Sequence, residues 1–505
     1  MKYKRISIGD WRNCVDDALV TFRPHHEVCL GDSVLLVAKD APGWAIVPFK
    51  EFRSVKALQG KTIGEIRSLS LLSSTSDLAR LARRGLIAID GQTGLVGEPD
   101  HETTRDVMKR QQLVQITTHD SKATPPNTLL IKLTGACNWA CAYCYDYDSA
   151  RFPRSLRLEN LRTLIDEILQ THSKARFIFH GGEPLLCFEE LRLICEYIGQ
   201  RAARFSNSVF FSIQTNGALL DKEKIDFLLE HHFAVGLSID GPPEVNDLSR
   251  VDFRGRGTSH VITQLFEEHS DFMRYHVGYL TTVTSNNVGH LEETAEYLLS
   301  LGARSWKTIV FDREGRGKER QDLQVSPERY LSFLRWTLSQ CATPKWSDFK
   351  FESILELLSM VFTSNRTGIC SRFPCGAGQD FGVASADGKL LACDAAYDKE
   401  FELGNLADGW MTSSTTARVE SLAQRESWLL TEAECSTCAW LHFCAGTCMA
   451  KAMLQHGTIL AVDDFECYIR KKLFPELFTI LSKFGNSLFG YYQHHQSKGA
   501  PSREN

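Results

Sequence analysis

The chain has 505 residues, 43% hydrophobic and 24% charged, with a formal net charge of −5. This is the composition of a soluble globular protein with room for roughly two to four domains, and its acidic balance argues against general nucleic-acid binding, which draws on excess Lys and Arg. No stretch approaches the roughly 18 consecutive apolar residues of a membrane span, and the start, Met1 to Asp10, is too polar for a secretory signal, so a cytoplasmic protein without a membrane partner is expected.

Residues 1–95 predict a small α+β module. The runs Ser33 to Ala38 and Trp44 to Phe49 read as strands, Phe49 to Leu58 and Ser76 to Arg84 as helices, and Leu86 to Asp90 as a short strand. Residues 96–126, rich in Thr, Asp, Lys and Arg from Gly97 to Pro126, predict a linker or exposed helix. From Thr128 strand and helix alternate regularly. The predicted strands are Leu129 to Leu133, Arg176 to His180, Val209 to Gln214, Ala234 to Ile239, His276 to Val283 and Ser305 to Phe311. Amphipathic helices lie between them, over Leu158 to Gln170, Glu189 to Arg204, Lys222 to His231, Ser259 to Asp271 and His290 to Leu301. Six such units imply an α/β fold, a partial (β/α)6 TIM-like barrel over residues 127–325, with reactive groups at the C-terminal ends of its strands.

Residues 326–369 predict connecting helices, one over Pro327 to Gln340. A cysteine-rich stretch with little periodicity, residues 370–470, is expected to be a separate metal-organised domain. Residues 471–505 close the chain as a helix, read from Tyr468 to Phe484, and a polar tail in which His494 and His495 are expected to be solvated.

Sixteen cysteines in a reducing compartment point to metal or catalysis rather than disulfides. Cys14, Cys29, Cys187, Cys195 and Cys341 stand apart and are expected to be small buried hydrophobes. The other eleven fall in clusters. Cys137, Cys141 and Cys144 form a C-x3-C-x2-C run directly after the first barrel strand, with Tyr143 before the third. Iron-sulfur clusters take four thiolates as a rule, so three leave an iron open. A structural zinc site is the bland alternative, but three Cys without a nearby fourth ligand fit it poorly.

This loop resembles that of the radical S-adenosylmethionine enzymes. The resemblance implies that the open iron chelates S-adenosylmethionine, whose cleavage gives a 5′-deoxyadenosyl radical. The later strand ends are family-like too: His180-Gly181-Gly182-Glu183-Pro184, Gln214-Thr-Asn216-Gly217 and Ser238-Ile-Asp-Gly-Pro242. By the same resemblance Tyr143, Gly181, Gly182, Glu183, Pro184, Gln214, Asn216, Ser238 and Arg250 are the cofactor-binding candidates. Among these, Glu183 is the candidate for the ammonium, while Ser238 and Arg250 are candidates for the ribose hydroxyls and the carboxylate. Asp240 is expected to orient its loop.

The array Cys375, Cys393, Cys435, Cys438, Cys444, Cys448 and Cys467, with Cys370 upstream, resembles the SPASM domain of radical enzymes that modify peptides. It implies two auxiliary [4Fe-4S] clusters, three clusters in all, one on Cys370, Cys375, Cys393 and Cys448 and the other on Cys435, Cys438, Cys444 and Cys467. Paired zinc sites are the alternative, since C-x2-C is also zinc-ribbon spacing. The glycines at 376, 378 and 382 lie between cluster ligands and precede no predicted helix, so they are not a dinucleotide fingerprint. Asp394 sits where sulfatase-maturing relatives carry a proton-accepting acid, and is the catalytic candidate.

The expected function is a maturase that oxidatively cross-links a ribosomally synthesised precursor peptide, by a thioether or carbon-carbon bond, with an external flavodoxin- or ferredoxin-type electron donor. The N-terminal module resembles the small domains with which such maturases grip a leader peptide. A formylglycine-forming, sulfatase-maturing type is the alternative, against which stand that extra module and Asp146 where a Tyr is expected. A non-catalytic iron-sulfur sensor or electron carrier is the alternative from another class.

Overall fold

The structure, a computed structural model, describes residues 16–39, 43–69, 81, 86–89, 123–148, 151–152, 154–363, 370, 372–373 and 375–497. Cys14, nearly all of the predicted helix Ser76 to Arg84 and most of Gly97 to Pro126 lie outside them. No helix among the described residues is long and apolar enough to cross a membrane.

The N-terminal residues form two three-stranded sheets. One has the order β5-β1-β6, from β1 (Leu19–Phe22), β5 (Lys61–Thr62) and β6 (Ile87–Ile89), and the other the order β2-β3-β4, from β2 (His25–Cys29), β3 (Ser33–Ala38) and β4 (Trp44–Pro48). β3 is buried on both faces: Val34, Leu36 and Ala38 enter the small local core, while Leu35 and Val37 join the main one. Trp44 reaches the same way, its Nε1 donating to Val361 O at 2.9 Å and its ring meeting Phe478 edge-on. The sequence reading missed β1 and β2, whose residues mix polar and apolar types. Cys29, expected to be buried, is exposed at the end of β2, an outer strand of its sheet, and Cys187 is half-buried, whereas Cys195 and Cys341 are buried as expected.

The remaining strands form one ten-stranded sheet. In spatial order it runs β13 (Lys350–Phe351), β12 (Ser305–Val310), β11 (Val277–Val283), β10 (Ala234–Ser238), β9 (Ser208–Thr215), β8 (Lys174–Gly181), β7 (Thr128–Thr134), β14 (Phe381–Ala384), β15 (Lys389–Leu391) and β16 (Glu402–Asn405). From β13 to β14 every pairing is parallel, and the six strands β7 to β12 with their helices make the partial barrel. β7 is buried along its whole length, as a central parallel strand covered on both faces should be. Helix Leu158–Thr171 shows why such segments form: Leu161, Leu164, Ile165 and Ile168 are fully buried at helical spacing, an apolar stripe against the sheet.

Three expectations are corrected here. The cysteine-rich region is not separate from the barrel in its hydrogen bonding, because β14 pairs with β7 and extends the same sheet; it also holds the 19-residue helix Ser413–Thr431, whose weak periodicity hid it. The closing helix runs over Asp464–Ser497, through Pro475, with non-helical dihedrals at Phe484, so no polar tail begins at residue 485. His495 is buried rather than solvated, and His494 pairs with Asp348 at 2.9 Å. That turn of helix packs on the barrel edge, where Tyr491 accepts from Phe351 N and donates to Phe349 O. The predicted helix Ser259 to Asp271 is two, Ser259–Glu268 and Ser270–Tyr275, broken at His269.

Candidate active site

The loop carrying Cys137, Cys141 and Cys144 leaves the C-terminal end of β7 and is pinned by backbone contacts from later strand ends. Ala140 N donates to Val251 O, Ala142 N to Ser249 O, and Arg316 N to Cys144 O, at 2.8–2.9 Å. Arg316 Nη1 also donates to Cys141 O at 3.1 Å. The three thiols lie close enough to interact electrostatically. Burial pushes the Cys137 thiol up to about 12 and Cys144 to about 11, and a metal centre bound there would displace those protons.

The glycine pair after β8 allows this loop to close on its neighbour. Gly182 N donates to Thr134 O and Glu183 N to Ala136 O, at 2.7 and 2.8 Å, and a Cβ on Gly182 would stand 2.0 Å from Ala136 O. Gly181 has φ +120°, a conformation that favours glycine. The close approach is thus to the cysteine loop's own backbone. Glu183 is fully buried; its carboxylate accepts from Leu185 N, Thr215 Oγ1 and Asn216 N at 2.8–3.1 Å, tying the strand ends of β8 and β9 together. Burial raises it to about 6 despite those donors. Three of its roughly four acceptor positions are used.

Gln214 Nε2 donates to Ser238 Oγ at 3.1 Å, and Asn216 Nδ2 to Asn138 Oδ1 at 2.7 Å. Arg250, 5% exposed, donates to the Tyr143 hydroxyl, which donates to Asp240, both at 2.6 Å. Asp240 also accepts from Thr282 N, which orients its loop as expected. Pro184 opens the short helical turn after Glu183. The structure therefore brings Tyr143, Gly181, Gly182, Glu183, Pro184, Gln214, Asn216, Ser238 and Arg250 to one set of strand ends. Two buried nitrogens there, Arg250 Nε and His180 Nδ1, have no hydrogen-bond partner, and such orphaned polar atoms fit a site built to take a polar ligand.

Beside this set lies the catalytic candidate Asp394, in a group whose lysine and tyrosines the sequence reading missed. Lys132, 2% exposed in its side chain, projects from β7 and contacts Asp146 at 2.6 Å and Asp394 Oδ1 at 2.8 Å. It also donates to Asp394 O at 3.2 Å and to the Tyr397 hydroxyl, which donates to Asp146. Tyr145 donates to Asp394 Oδ2 at 2.8 Å. The contact at Oδ1 is an ion pair out of line for a hydrogen bond. Burial alone would push the Asp394 carboxyl up, but Lys132 and His180 hold it down at about 2. The clue in the sequence was one lysine inside the otherwise uncharged run of β7.

The eight later cysteines separate into two groups. Cys393 interacts with Cys370, Cys375 and Cys448, and Cys435 with Cys438, Cys444 and Cys467. Among the described residues no three His, Cys, Asp or Glu side chains close on one point as ligands of a single metal ion would; each group offers four thiols, the donor set of a four-iron cluster. Two cations brace them: Arg425 donates to the carbonyls of Gly446, Ile459 and Ala461, and Arg470 to Cys444 O and, at 3.5 Å, to Cys444 Sγ.

Comparison with known proteins agrees with this geometry. Residues 131–301 match the model of the Radical SAM superfamily. The chain is 28% identical over 388 residues to the cysteine-type anaerobic sulfatase-maturating enzyme of Clostridium perfringens, covering 72% of this chain and 100% of that one. It is also 28% identical over 351 residues to the serine-type anaerobic sulfatase-maturating enzyme of Klebsiella aerogenes, covering 68% and 84%. The solved structure of native anSMEcpe with bound AdoMet and Cp18Cys peptide is similar with a TM-score of 0.61 at 25% identity, covering 72% of this chain and 100% of that one. The chain is therefore an enzyme with a radical SAM domain, related to the anaerobic sulfatase-maturating enzymes.

Proposed function

We propose that this enzyme oxidises a side chain of a ribosomally made precursor peptide, joining it in a thioether or carbon-carbon cross-link. Cys137, Cys141 and Cys144 would hold the cluster that binds S-adenosylmethionine, with the strand-end residues from Tyr143 to Arg250 around it. Cys370, Cys375, Cys393 and Cys448 would hold one auxiliary cluster, and Cys435, Cys438, Cys444 and Cys467 the other. Bound there, the first cluster and S-adenosylmethionine supply a 5′-deoxyadenosyl radical that takes a hydrogen atom from substrate. Oxidation also releases a proton, and Asp394 is our candidate acceptor. The observation that carries an oxidation with proton release, a feature both readings share, is the placement of the Asp394 carboxylate beside β7, with Oδ1 2.8 Å from Lys132 Nζ and Oδ2 accepting from Tyr145 at 2.8 Å. A carboxylate in that place can act as a general base. An external flavodoxin- or ferredoxin-type donor would supply the electron that cleaves S-adenosylmethionine, and the two auxiliary clusters would take up the electron removed from substrate.

The N-terminal module is proposed to bind the leader of that peptide. Support comes from β2, an outer strand of its sheet with half-exposed residues, to which an extended segment can add as a further strand. A second reading, oxidation of a Cys or Ser side chain to formylglycine, is favoured by the sulfatase-maturating relatives; Asp146, bound to Lys132 where a Tyr was expected, weighs against it. Co-expression with each short reading frame beside the gene, followed by mass spectrometry and hydrazide labelling, separates the two. A peptide that has lost two hydrogens and does not label supports the cross-link. A hydrazide-reactive residue supports formylglycine instead.

A further inference from the structure

We propose that Lys132 is a positioning residue for substrate oxidation, fixing the Asp394 carboxylate in the orientation from which it takes up the substrate proton; the inference rests on the reading of Asp394 given above. Lys132 occupies a place where a charge is costly. Its side chain is 2% exposed in a strand whose other residues, Thr-Leu-Leu-Ile and Leu-Thr, are uncharged and buried. A buried ammonium is tolerated only when paired and hydrogen-bonded, and here the partners are unusually complete. They come from separate parts of the chain: Asp146 from the cysteine loop, and Asp394 and Tyr397 from the segment after Cys393.

Three contacts define the orientation of Asp394, and a fourth holds Lys132. Lys132 Nζ meets its main-chain oxygen at 3.2 Å and its Oδ1 at 2.8 Å, Tyr145 holds Oδ2 at 2.8 Å, and the Tyr145 ring faces Lys132 Nζ at 5.1 Å. On the far side the Tyr397 ring lies 4.4 Å from Nζ and is covered by the Arg151 guanidinium at 3.6 Å. Lys132 thus grips both the backbone and the side chain of one residue, while its second carboxylate, Asp146, fixes the lysine to the loop of the first three cysteines. Asp394 remains 27% exposed in its side chain although Lys132 and the Asp394 Oδ1 that it meets are sealed, so the lysine does not meet substrate and acts through the carboxylate. The consequence is geometric coupling between the loop where hydrogen abstraction begins and the group that receives the proton.

The test measures modified peptide formed per 5′-deoxyadenosine released, along with peptide KM and iron content, in the anaerobically reconstituted full chain. Asp394→Asn first tests the underlying reading: an unchanged ratio removes Asp394 as acceptor, whatever Lys132 does. If that ratio falls, Lys132→Met is expected to lower it at least tenfold at unchanged iron content and with peptide KM within twofold. The Lys132→Met, Asp394→Asn double variant should then fall no further than Asp394→Asn alone, since a residue acting through another is non-additive with it. A ratio within twofold of native in Lys132→Met, or multiplying losses in the double variant, would overturn the proposal and leave Asp394 standing. Should Lys132→Met lose iron, Lys132→Gln, which keeps a hydrogen-bonding end, takes its place; loss of iron from both assigns Lys132 to folding and overturns it as well.

Discussion

The barrel and the cysteine-rich region share one sheet but are specified by different means. Between residues 128 and 310 the chain is organised by periodicity, and the reactive groups follow from it: each motif sits where a strand ends. After Cys370 little is periodic, β14 to β16 are three or four residues long, and the order lies in the spacing of thiols and in cations such as Arg425 and Arg470 that bind the loop carbonyls. The lesson is that periodic burial places three cysteines at an open strand edge, whereas the other eight sit on short elements and loops packed against that same core. Three thiolates leave an iron available to a ligand, and two sets of four leave none.

The comparison breaks most sharply if the two sets of cysteines are exchanged in role. Substituting Cys137, Cys141 and Cys144 by Ala should abolish 5′-deoxyadenosine release, a loss of at least about 1,000-fold, while about eight of about twelve irons remain; iron analysis and chromatography of the reaction check both numbers. The converse variant, Cys435→Ala with Cys467→Ala, should lose about four irons and the peptide product while still releasing 5′-deoxyadenosine. Gly182→Ala probes the barrel edge, because the added methyl meets Ala136 O at 2.0 Å. Overpacking against backbone of about 3 kcal/mol lowers cleavage about 100-fold, seen as a slower rate at saturating S-adenosylmethionine. Asp394→Asn should lower product per 5′-deoxyadenosine about 100-fold, the general-base range.

A smaller effect tests the N-terminal sheet. Successive N–H groups of a strand point to opposite edges, so of Glu27→Pro and Val28→Pro one blocks the outer edge of β2 and the other breaks its pairing with β3. The outward one should weaken binding of a labelled leader fragment about tenfold, or about 1.4 kcal/mol, in fluorescence anisotropy. Deleting residues 1–95 is a poorer test. It would strip Leu30, Leu35, Val37 and Trp44 from the main core.

Most of the barrel was legible because its helices and strands bury one stripe or one run, and all six predicted strands end within two residues of those found. The cysteine groupings were legible through resemblance, and the structure sets Cys393 within electrostatic reach of Cys370, Cys375 and Cys448, and Cys435 of Cys438, Cys444 and Cys467. What escaped had physical reasons. β1 and β2 are half-exposed, so their apolar pattern is diluted. The last helix continues past Phe484 because Tyr491 and His495 bury one face beneath polar neighbours such as Gln493 and Gln496. Lys132 escaped because a single charge in an apolar strand gives no period, and its partners at Asp146, Asp394 and Tyr397 lie 14 to 265 residues away.

The central claim is one open cluster beside two closed ones. Electron paramagnetic resonance of the reduced, reconstituted chain, recorded with and without S-adenosylmethionine, tests it most directly. The account predicts that the signal of a single cluster shifts on addition, that this signal is missing from the Cys137, Cys141 and Cys144 variant, and that the other two do not move. A spectrum in which no signal responds, or in which a signal that survives in that variant responds, would contradict it.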